Sequence, residues 1–88
     1  MAAQRIHLDD DSPFLPRLHS NWRIQAIQRA ENLEKSELMF TAPISISRKD
    51  FSELREEFVQ LAQRLSKRVI ASAAEDVACV NMDLFWLK

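Results

Sequence analysis

Four groups of residues in this chain have types and spacing that chemistry could use. His7 stands beside Asp9, Asp10 and Asp11, one imidazole and three carboxylates in a short stretch. A cation accepts such donors, but no second histidine follows at the i, i+4 step that sets two imidazoles on one helical face. Adjacent carboxylates in a loop mostly solvate themselves, so no metal is expected. His19, Trp22 and Arg23 fall within one helical turn, and Arg68 lies further along. Together they offer the ring, imidazole and cationic groups of a small-ligand pocket, for a nucleotide among other ligands. A partly buried, hydrogen-bonding histidine beside a core tryptophan is the plainer account. Cys79 is the single cysteine. A nucleophile needs its thiol pKa lowered by a cation, a histidine or a helix N-terminus, and no Cys–His arrangement surrounds it, so inert packing is expected. Arg64, Lys67 and Arg68 cluster near a helix end. The helix dipole explains them without a ligand; anion binding is the alternative. None of the four amounts to a catalytic constellation, so no enzyme activity and no cofactor are expected.

Composition narrows the classes further. The chain has 88 residues, which is one small domain with a modest core. It is 47% hydrophobic, too apolar for disorder throughout. Lys+Arg 12 against Asp+Glu 13 leaves the net charge at −1. A chain built to grip nucleic acid is usually basic, while near-neutrality does little to oppose self-association. Glycine is absent, which removes phosphate-cradling loops and dinucleotide fingerprints. One thiol suits a reducing compartment, no apolar run approaches the length of a membrane span, and the first residues lack the apolar core of a signal peptide. A cytoplasmic location is expected.

The elements that must position these residues follow from periodicity. Arg5-Ile6-His7-Leu8 suits a short strand, and Asp9 to Pro13 breaks it. A helix is expected from about Pro16 to Glu34, with proline tolerated in its first turn. Leu18, Trp22, Ala26, Ala30 and Leu33 form its stripe. Ile24 and Ile27 lie off that stripe, which suggests cover on a second side. Leu38 to Ser47 alternates like a strand, with Phe40, Ala42, Ile44 and Ile46 on one side; Pro43 marks an edge or a bulge. Ser47 with Asp50 caps a second helix. Its ridge is Phe51, Leu54, Phe58, Leu61, Leu65 and Val69, at steps of three and four. In a closing strand Ala78, Val80, Met82, Leu84 and Trp86 share one face.

A strand–helix–strand unit with so long a crossover favours parallel strands and a right-handed connection. The expectation is therefore an α+β fold: a two- or three-stranded sheet with both helices packed on one face. Residues 1–14 would be an N-terminal arm with a possible short strand, and 15–88 a single α+β domain. A small sheet leaves open edges and an uncovered face, so a homodimer is expected. Ile24, Ile27, Met82, Leu84 and Trp86 are its candidate interface residues.

Several stretches together resemble a bacterial family. They are His19-Ser20-Asn21-Trp22-Arg23 through Glu31-Asn32-Leu33, Phe40 to Ile46, Phe58 to Leu65, and Val77 to Lys88. The family is the C-terminal domain of uncharacterised proteins labelled as transcriptional regulators, with a predicted helix-turn-helix N-terminal half. Its closing strand is similar to "VYQLNIQLFPLTK", and Asn81, Leu84, Phe85 and Leu87 match in place. Trp86 stands where that family usually has proline, and Cys79 where it often has glutamine. The resemblance spans about residues 15–88 and carries no catalytic signature. It implies a regulatory dimerisation domain. The family's DNA-binding half would lie upstream of residue 1, so contact with DNA is expected only indirectly, through that half. Dimerisation would then space two such units over two half-sites. The alternatives are a small-ligand sensing module around His19, Trp22, Arg23 and Arg68, and a stand-alone adaptor that offers a sheet edge to a partner strand.

Overall fold

The structure, a computed structural model, describes residues 14–88. Its elements in order are α1 (Leu15–Arg29), one turn of 3-10 helix (Ala30–Asn32) and α2 (Arg48–Ala71). No β-strand forms among the described residues, so the fold they show is all-α and the expected α+β sheet is corrected. The strand expected at Arg5–Leu8 and the acidic run that follows it lie outside the described residues. The described chain divides into two compact units, one up to Ser45 and one from Ile46 onward.

In the second unit α2 begins where the sequence says it should. Ser47 is extended (φ −71°, ψ 158°) and its Oγ accepts the Asp50 N–H at 3.0 Å. That satisfies one of the amide donors a helix start leaves open. Phe51, Leu54, Phe58, Leu65 and Val69 are half-buried along one face. Ala62, at 3% exposure, is the buried residue among those described. The ridge has one exception: Leu61 is 44% exposed. The helix ends at Ala71, and Ser72 turns extended while its N–H reaches the Val69 carbonyl at 3.2 Å.

The chain then runs back along α2. The Trp86 ring stacks on Phe51, with centroids 4.3 Å apart and planes 17° from parallel. The Arg48 guanidinium lies 5.2 Å from the Trp86 ring centroid. Phe51 and Ala71 are about 30 Å apart along the helix axis at 1.5 Å per residue, so the segment after Ala71 must return that distance to place Trp86. Ala78 and Val80 of the expected face are exposed, and Asn81 is half-buried. From Met82 onward burial alternates: Met82, Leu84 and Trp86 are half-buried, while Asp83, Phe85 and Leu87 are exposed. This is the period of an extended chain.

The first unit is more open. Phe14 precedes α1 without a side-chain cap, Pro16 sits in the first turn, and no residue of α1 is buried. Leu15, Arg23 and Ala26 are half-buried, whereas Leu18, Trp22 and Ala30 of the expected stripe are exposed. The helix stops at Arg29, earlier than Glu34, where a tighter turn takes over. Arg29 secures that exit: its guanidinium donates to the Asn32 carbonyl at 2.9 Å and to the Glu37 carboxylate at 2.5 Å. Residues 33–45 follow without helix or strand.

The missing sheet has a physical reason. Period-two patterning records which side chains seek cover; it does not supply a ladder partner for the backbone. Here the two expected strands, Leu38–Ser47 and Val77–Lys88, fall largely in different units. Pro43 cannot donate to a ladder. A two-stranded sheet is marginal on its own. The closing segment finds its cover through side chains, Trp86 on Phe51 above all, where a ladder was expected.

Candidate functional site

Two surfaces hold the residues that could do something. On α1, His19, Trp22 and Arg23 stand three and four residues apart and share one face. The Arg23 guanidinium donates to the His19 carbonyl at 3.2 Å. His19 and Trp22 are exposed and Arg23 is half-buried. Arg68, the fourth candidate ligand residue, lies on α2 in the other unit.

The second surface is the C-terminal half of α2. An open hollow of about 870 Å³ is lined there, among the described residues, by Leu61, Arg64, Leu65, Lys67, Arg68, Ala71 and Ser72. All three cations of the cluster are on this wall, with Leu61 and Leu65 between them. The arrangement offers an apolar floor and positive charge to anything that docks. Among the described residues no ion pair engages Arg64, Lys67 or Arg68.

The candidate interface residues separate into two kinds. Ile24 and Ile27 are exposed on α1, Ile27 at 73%. Met82, Leu84 and Trp86 are half-buried, and Trp86 is engaged by α2 of its own chain. The residues that hold Trp86, Arg48 and Phe51, were not singled out from the sequence as a clamp. Their i, i+3 spacing at the start of α2, opposite an aromatic in a returning segment, is the signal that marks them.

Cys79 is exposed, not packed, with its thiol donating towards Asn81 Oδ1 at 3.8 Å. Among the described residues no group of three His, Cys, Asp or Glu side chains stands together as metal ligands; His7 and Asp9 to Asp11 lie outside them. No described helix is long and apolar enough to cross a membrane. One carboxylate is perturbed. The Glu34 backbone N–H (2.8 Å) and then the Arg29 guanidinium hold the Glu37 carboxyl below its usual range. Both favour the charged form, and they pin the turn after α1.

A search of protein-family models, curated proteins and solved structures finds no match to this chain.

Proposed function

We propose that this chain is a non-catalytic, cytoplasmic association module: the regulatory dimerisation domain of a bacterial transcriptional regulator. One observation carries the association. Among the described residues, sixteen large apolar side chains are exposed while a single hydrophobic residue, Ala62, is buried. They include Phe40 at 84% and Phe85 at 69%. Single exposed apolar residues need no explanation, but an accumulation on this scale marks surface that is covered in use. A net charge of −1 leaves two copies free to approach. The resemblance of residues 15–88 to the C-terminal domain of helix-turn-helix regulators supplies the setting. In it, pairing fixes the spacing of two DNA-reading units.

The test is light scattering on the whole chain across a dilution series. A homodimer that dissociates on dilution is the expected outcome. A particle that stays monomeric at the highest concentration reached overturns the reading. Reading the genomic DNA upstream of the Met1 codon tests the regulator setting, where an in-frame helix-turn-helix is expected.

A second reading is favoured by the hollow at the end of α2: a sensing module for a small anionic ligand. A rise in melting temperature with a nucleotide or inorganic phosphate, without self-association, is its signature.

A further inference from the structure

We infer that two copies of this chain pair through antiparallel α2 helices, along the stripe Glu53, Glu57, Leu61, Arg64 and Arg68. The inference rests on the self-association proposed above and names one surface that takes part in it, which holds Leu61 of the exposed apolar residues.

The stripe follows from helical geometry. Steps of four, four, three and four keep these residues on one side of α2, flanking the packed face of Phe51, Phe58 and Leu65. All five are exposed. Leu61 is the ridge residue that points away from the packed face and sits at the middle of the stripe. The charges are segregated: acidic on its N-terminal side, basic on its C-terminal side.

Two ordinary explanations fail for this order. The helix dipole favours acids at the start and bases at the end, but its reach is about one turn. It covers Asp50 and Arg68, in the first and last turns. Glu57 and Arg64 lie about two turns or more from either end of a helix that runs from Arg48 to Ala71, so the dipole account expected for the basic cluster does not reach Arg64. Support within the helix does not account for it either: Lys49 stands four residues before Glu53, but Glu53 with Glu57 and Arg64 with Arg68 are like-charge pairs at i, i+4, which destabilise an isolated helix. Among the described residues none of the four makes an ion pair.

A second copy resolves the pattern. A two-fold axis requires residue i to meet j while j meets i. With that axis between Gln60 and Leu61, Glu57 faces Arg64 of the other copy and Glu53 faces its Arg68. Both relations are repeated by symmetry, giving four complementary pairs around a Leu61 centre. A parallel alignment sets acid against acid and base against base. The helix is about 36 Å long, so the pairing engages both halves of α2 and covers the hollow lined by Leu61, Arg64 and Arg68.

The experiment uses the full chain with two double variants, Glu53→Arg/Glu57→Arg and Arg64→Glu/Arg68→Glu. Each makes the stripe single-signed and is expected to weaken homodimerisation on the order of a hundredfold. Mixed in equal amounts, the two should form a heterodimer, and the wild-type dimer should weaken as salt rises from about 0.05 to about 0.5 M. A third variant, Gln60→Cys in a Cys79→Ser background, leaves every charge in place. It should cross-link to its own copy under oxidation, which excludes antiparallel registers whose axis lies far from Gln60. A parallel pairing is excluded by the weakening of the double variants, since its stripe already sets like against like.

Double variants that remain homodimers overturn the antiparallel pairing and leave the proposed function standing. So does a wild-type dimer whose Gln60→Cys form gives no cross-link. A wild-type chain that is monomeric throughout overturns both. A wild-type monomer stabilised by inorganic phosphate, with the stabilisation lost in Arg64→Glu/Arg68→Glu, assigns the basic half to a ligand instead.

Discussion

The two units are built from similar raw material and handle it differently. From Ile46 onward, a capped helix carries a ridge of spaced leucines and phenylalanines, and a returning segment closes on it through Trp86. Up to Ser45, a helix without a side-chain cap keeps Leu18, Trp22, Ile24 and Ile27 exposed and buries no residue. Apolar content alone therefore does not make a core. The second unit has a long helix and a segment that can lie along it, whereas α1 is followed within its unit by a short turn and a chain without regular structure. The stability of the described chain should be concentrated in α2 and its clamp, with α1 the readier of the two to open.

The largest expected effect is at the ridge. Phe58→Ala should destabilise the chain by about 2 kcal/mol, towards the low end for a large-to-small change because Phe58 is only half-buried. Leu18→Ala on α1 should cost under about 0.5 kcal/mol. Urea unfolding of both variants measures the contrast, and equal losses would erase it. The clamp comes next. Trp86→Ala removes the Phe51 stack and the Arg48 contact and should cost about 1–2 kcal/mol. Trp86→Phe should recover part of that, read from the same unfolding curves.

The cap follows. Ser47→Ala should lower stability by about 1 kcal/mol and speed amide exchange in the first turn of α2, leaving α1 unchanged. The smallest effect belongs to the first unit. The Glu37 carboxyl is held below its usual range by the Glu34 N–H and Arg29, so its folded pKa is depressed relative to the unfolded chain. Its contribution is present above the unfolded value and is lost as pH falls through the folded one. The 29–37 turn should loosen in that acid window, seen as shifts of the Glu34 and Glu37 amides, and Glu37→Gln should remove the pH dependence.

What the sequence revealed differs between these regions for a physical reason. In α2 the ridge from Phe51 to Val69 repeats over about five turns, and Ser47 with Asp50 marks the start, so periodicity and capping chemistry agree. The alternation at Met82, Leu84 and Trp86 was legible too, and the structure shows it as alternating burial. The partner of that segment was not legible. Alternation is satisfied by a helix face as well as by a sheet, so the step from extended chain to β-ladder did not follow. In α1 the Leu18–Leu33 stripe has helical spacing, but spacing cannot say whether anything arrives to cover it. The order of the charges Glu53, Glu57, Arg64 and Arg68 can be read off the chain. It gains meaning only once the helix is known to run unbroken through all four residues and to leave Leu61 uncovered among them.

The chain's two tryptophans, Trp22 and Trp86, fall one in each unit. The indole of Trp86 rests against a phenyl ring and a guanidinium, whereas that of Trp22 is exposed on α1. With Trp22 replaced by phenylalanine, the emission spectrum becomes a gauge of the α2 clamp alone. With Trp86 replaced, it reads α1 alone, so an optical melt can time the loss of each half without any added label.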